Sequence, residues 1–120
     1  MKLRRALSLA AEVFVLFLFV RLLFSGPGEE ETGERSAAYA SLLESELGSF
    51  LDEDGKKDLL IFHYSPAPIK RKQGLFRFQI LLKFLRSRRM PDILRFLYAF
   101  TEEHRSLFYP AMEINPQDMF

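Results

Sequence analysis

The sequence contains no cysteine. A small exported domain with a weak core usually relies on disulfides, so this absence argues against a rigid extracellular module and excludes thiolate zinc sites and thiol catalysis. The one asparagine, Asn115, precedes proline, and no glycosylation sequon exists. Histidine is scarce: His63 and His104 have no second ligand at i+4 and no HExxH arrangement, and each reads as a surface or packing residue. Glu102, Glu103 and His104 are adjacent and would point in different directions on a helix. Gly26, Gly28 and Gly33 are followed by no Gly-Lys-Ser or Gly-Lys-Thr, so they form no phosphate loop. No catalytic residue, cofactor or metal is expected, and the chain reads as non-enzymatic.

Net charge is also nearly absent, at +1 over 120 residues, which gives no overall attraction to nucleic acid. The charges are nevertheless sorted into blocks. Residues 1–21 come to about +3, 29–54 to about −8, 56–89 to about +9 and 90–120 to about −3. Compact enzymes rarely sort charge in this way; processed precursors and tethered or disordered chains often do.

The start, MKLRRALSLAAEVFVLFLFVRLLFSGPG, has the layout of a secretory signal: Lys2, Arg4 and Arg5, then an apolar run, then Ser25, Gly26 and Gly28. Glu12 and Arg21 interrupt the run and shorten it below the roughly 20 residues that a bilayer needs, so a cleaved signal is favoured over a retained anchor. Residues 1–28 are assigned to this signal or anchor helix. Residues 29–57 then form an acidic propeptide or linker, with a polar opening (27–36) and one amphipathic helix over 36–51, where Tyr39, Leu42, Leu43, Leu47, Phe50 and Leu51 recur at helical spacing.

Residues 58–89 form a basic-aromatic segment. Leu59–Tyr64 favours an extended strand, which Pro66 and Pro68 keep from an inner position. Residues 73–85 are compatible with helix or strand, and Leu75–Phe100 suggests a helical hairpin turning at Arg86–Pro91. Residues 90–120 supply a helix over 91–105, begun by Pro91 and Asp92, and an irregular tail. The expected fold is mostly α with disordered linkers and without a single large core.

The basic clusters Lys56-Lys57, Lys70-Arg71-Lys72 and Arg86-Ser87-Arg88-Arg89 fall at breaks between apolar segments. Processing proteases with acidic pockets cut after such paired cations in mobile chain, which would release Asp58–Ile69, Gln73–Leu85 and Met90–Phe120. Phe62-His63-Tyr64-Ser65 behind a basic doublet, with Arg88-Arg89-Met90 later, resembles the propeptide portion of the neuromedin U and neuromedin S precursors. The resemblance implies a secreted hormone-like precursor cut at its basic clusters, with Phe62, His63 and Tyr64 as receptor-contacting residues. The family's amidated Phe-Arg-Pro-Arg-Asn ending does not occur here.

The leading expectation is therefore a secreted neuropeptide-like precursor, with processing proteases and a cell-surface receptor as partners. The alternative is a small single-pass or peripheral membrane protein. It would use Leu75–Arg89, where Phe76, Phe78 and Phe84 sit among Arg77, Lys83, Arg86, Arg88 and Arg89, as a helix against membrane or a partner protein. Nucleic acid is not expected as a partner.

Overall fold

The structure, a computed structural model, describes residues 17–105 and 110–115, with backbone alone at residues 68–72. The elements run β1 (Phe17–Gly26), α1 (Glu29–Phe50), α2 (Glu53–Asp58), β2 (Leu59–Lys72), β3 (Leu75–Leu85), α3 (Met90–Glu103) and β4 (Ala111–Ile114). The strands pair antiparallel in the order β2-β3-β1-β4. This is a split βαβ arrangement, in which β3 lies between β1 and β2. It replaces the expected mostly helical fold with a mixed one.

The apolar start is the largest correction. Residues 17–26, expected within a signal or anchor helix, are the inner strand β1. Leu18, Val20, Leu22 and Phe24 enter the core, while Arg21 points to the other face. A strand buried on both faces reads as a continuous apolar run, which periodicity cannot separate from a helix. Residues 1–16 of that expected segment lie outside the described residues. Among the described residues, no helix is long and apolar enough to cross a membrane.

Of the linker expected at 27–36, residues 29–36 are the first part of α1. Glu29, Glu30 and Glu31 sit at the helix's positive end, and the inward face begins with buried Thr32 and Ser36 instead of apolar side chains. Ser36 Oγ donates to the Thr32 carbonyl at 2.7 Å, so its polarity is satisfied locally. A side chain at Gly26 would collide with that of Thr32, so glycine lets the end of β1 approach α1.

Leu75–Leu85 forms no helical hairpin. It folds back on β2, the edge strand that tolerates Pro66 and Pro68. The connection is Gln73-Gly74, with φ of 54° and 78°, the two positive values that a type I′ turn demands. The helix expected over 91–105 is present as α3, and the tail contributes the short strand β4.

A single core joins these elements. Leu18, Val20, Leu22 and Phe24 meet Ile80, Leu82 and Phe84 across the sheet, under Tyr39, Leu43 and Leu47 of α1 and Ile93, Leu97 and Phe100 of α3. Tyr39 links the layers, edge-on to Phe24 at 5.1 Å and to Phe100 at 5.2 Å.

Gly74→Val is expected to lower the unfolding free energy by about 1–2 kcal/mol, because β-branched side chains strain left-handed backbone. Urea titration measures the change, and an unchanged midpoint would contradict the turn geometry.

Candidate functional site: a cationic sheet side opposite an acidic helical layer

Successive side chains of a strand point to opposite faces. In β3 this separates the basic-aromatic segment into its two components. Phe78 and Phe84 are in the core and Phe76 packs against it, whereas Arg77 and Lys83 lie on the face away from α1 and α3. The paired register adds Phe17, Phe19, Arg21 and Leu23 of β1, Ile61, His63 and Ser65 of β2, and Glu113 of β4 to that face. Exposed Arg86 and Arg88 follow β3 directly. Most acids lie on the helices: Glu29, Glu30, Glu31, Glu34 and Glu44 are exposed on α1, and Glu53 and Asp54 on α2.

The centre of the sheet side is structured. Arg21, only 3% exposed, reaches Glu113 Oε2 with Nη2 at 2.6 Å and Nε at 3.2 Å. Asn115 fixes the neighbouring residue, its Oδ1 accepting from Phe19 N at 2.9 Å and its N–H donating to the Phe19 carbonyl at 2.7 Å. Leu81 and Gln79 are buried beside Arg21, and Gln79 Nε2 lies 3.4 Å from Ser65 Oγ. Lys83 Nζ sits 4.3 Å from the Phe17 ring centroid and 5.5 Å from that of Phe19, a cation–π contact at the β3 exit. The sequence reading missed Glu113 and Asn115, since they lie in the tail expected to be irregular, more than ninety residues from their partners.

The residues singled out from the sequence are not brought together. Lys56 and Lys57 are exposed on α2, paired with Glu53 at 3.7 Å and Asp54 at 3.9 Å. Lys70, Arg71 and Lys72 end β2, and their side chains lie outside the description. Arg86 Nε donates to the Phe17 carbonyl at 3.4 Å. Arg89 lies among Asp52 (3.7 Å), Asp54 (3.7 Å) and Asp58 (3.4 Å), while Asp58 also accepts from Ser87 Oγ at 2.9 Å. This cluster ties α2 to the β3–α3 connection.

Phe62-His63-Tyr64 is split by the same alternation. Phe62 packs on the core, and the Tyr64 hydroxyl bonds to the Gly33 carbonyl at 3.0 Å and to Ser36 Oγ at 2.8 Å. His63 is exposed on the opposite face, across from Leu81. His104 is far along the chain, its Nδ1 3.0 Å from the Phe100 carbonyl. Among the described residues, no group of His, Asp and Glu could hold a metal ion.

The helical layer carries a shallow cavity of about 180 Å³ between Phe50, Leu51, Asp52, Arg89, Asp92 and Ile93. A more open apolar groove continues from it, where Phe50 stacks on Phe96 at 4.5 Å beside Asp92, Arg95 and Ala99.

These features define a small split-βαβ domain with a cationic sheet side. No protein-family model and no curated protein matches the chain, so its likeness to the neuromedin precursors rests on the matched letters alone. The fold is shared by unrelated activities and does not by itself assign one.

Removing the Glu113 carboxylate leaves the buried guanidinium without that acceptor. Glu113→Ala is expected to cost about 1–3 kcal/mol by urea unfolding, with most of the loss persisting at high salt because the pair is partly buried. Loss of the effect at high salt would mark it as a surface pair.

Proposed function

We propose that the chain is a non-catalytic binding module whose cationic sheet side takes a phosphate-bearing polyanion, with a nucleic-acid backbone as the chemistry that fits. The observation that carries this reading is the separation of charge between layers. Half-buried Arg77 and Lys83 lie on the sheet face and exposed Arg86 and Arg88 at its end, while the helical side carries most of the acids, with its cations Arg35, Lys56, Lys57 and Arg95 paired to carboxylates of their own helices. Spaced cations on an extended sheet bind phosphates by position, without reading bases. The buried Arg21, Gln79 and Leu81 leave the centre of the face unsuited to stacking bases, so a sequence-independent mode is favoured.

The membrane reading is weaker on the same geometry. It requires a helix over Leu75–Arg89 with Phe76, Phe78 and Phe84 among the cations, whereas this segment begins with a strand whose Phe78 and Phe84 are in the core, leaving Phe17 and Phe19 as the aromatic rings against Lys83. The precursor reading draws on the exposed Lys56-Lys57 doublet, which a protease reaches without unfolding the sheet. Its other cuts are less favourable: one follows Arg89, which is only 28% exposed among three aspartates, and the released pieces would divide β2 from β3. The chain is read as acting intact.

Fluorescence anisotropy with a labelled oligonucleotide over a salt series tests the proposal. Arg77→Glu with Lys83→Glu is expected to weaken binding at least about tenfold and to reduce the slope of log K against log salt by about 1.4–1.8. Glu30→Gln with Glu44→Gln leaves both unchanged. Binding that ignores the reversal, or binding to phosphatidylserine vesicles but not to the oligonucleotide, would overturn it.

A further inference from the structure

We infer that residues 1–16 pack across the centre of the cationic sheet side as a retained part of the fold. This goes beyond polyanion binding, which rests on cations at the margin and the end of that side. The helices α1 and α3 pack on the opposite, apolar face of the sheet, so neither shields this one. An antiparallel sheet left uncovered on one side is wet there. The centre of this side is dry: Arg21 is 3%, Leu81 5% and Gln79 6% exposed. The ion pair to Glu113 satisfies Arg21, but Leu81 and Gln79 stand on the neighbouring strand. Gln79 Oε1 is buried with no hydrogen-bond partner among the described residues, an acceptor left for the group that lies over it.

The buried strip follows β1 and β3. Phe17, Phe19 and Leu23 are half-buried along it, whereas Ser25, Ile61 and His63 at its rim are exposed. Two strands are about 10 Å across, and the steps from Phe17 to Leu23 cover about 20 Å, the dimensions of one chain segment. Three stretches lie outside the described residues. Residues 106–109 are only four, held between Arg105 and buried Pro110. Residues 116–120 leave from exposed Asn115 and carry Met119 and Phe120 as their large apolar side chains. Residues 1–16 join β1 at Phe17, beside the strip, and are long enough to cover it whether extended or helical. From position 6 to 16 the one charge is Glu12 and the one other polar residue is Ser8, an apolar stretch that suits buried Leu81 and a neutral ion pair.

NOE spectra of the isotopically labelled full chain test this. The expected result is contacts from the Leu81 methyls and the Gln79 side-chain amide to side chains within residues 6–16, unchanged on dilution. Val13→Asp with Phe14→Asp is expected to abolish them and to open the Leu81 methyls to a soluble gadolinium chelate, while the Leu82 methyls in the core stay shielded. If that variant opens Leu82 as well it has unfolded, and the contacts in the unsubstituted chain decide the matter.

Leu81 contacts confined to residues 106–109 or 116–120, contacts that arise between labelled and unlabelled copies, or Leu81 methyls still shielded in the folded variant would overturn the inference. If oligonucleotide binding is lost while these contacts persist, only the polyanion reading fails; binding without the contacts removes only this one.

Discussion

The two-residue period of β1 and β3 is the constraint on which the rest depends. Each central strand carries apolar side chains on one face and cations among apolar neighbours on the other. If either strand slipped by one residue, Val20, Leu22, Ile80 and Leu82 would leave the core, and Arg21 and Lys83 would enter it. The core therefore fixes the register, and the register fixes where the cations stand. The hairpin turn at Gln73-Gly74 and the Arg21–Glu113 contact hold the same register from either side of the central strands.

That constraint turns a one-dimensional pattern into a spatial one. The acidic block is mainly α1 and α2, and much of the basic block is β2, β3 and the connection to α3. Charge blocks suggestive of a precursor or linker thus have another origin, because consecutive elements of this topology occupy different layers. Lys56 and Lys57, which lie on α2, and Arg89 are exceptions, the last crossing to the helical side to hold α2 through three aspartates.

Parts of this were legible in the chain. Pro91 and Asp92 marked the start of α3, and Leu59–Tyr64 with its two prolines read correctly as a strand kept off the centre of a sheet. The apolar spacing of Tyr39, Leu43 and Leu47 located the inward stripe of α1, though not its first turns, where Thr32 and Ser36 replace apolar residues. Phe17–Gly26 misled because an inner strand buried on both faces has the same hydropathy as a membrane-directed helix. Arg21 interrupts that run at a position belonging to the opposite face, a sign of strand that becomes readable only beside Glu113. The cationic face was invisible for a related reason. Whether Arg77 and Lys83 accompany Phe78 and Phe84 or oppose them depends on whether the segment is helix or strand, which composition alone left open.

The most direct measurement is the set of backbone NOEs in β1 of the isotopically labelled intact chain. The predicted result is cross-strand contacts that set Arg21 opposite both Leu81 and Glu113, and Val20 opposite Leu82 and Ile114. Sequential helical NOEs over Phe17–Phe24, without contacts to β3, would contradict the fold, and with it the separation of apolar from cationic faces.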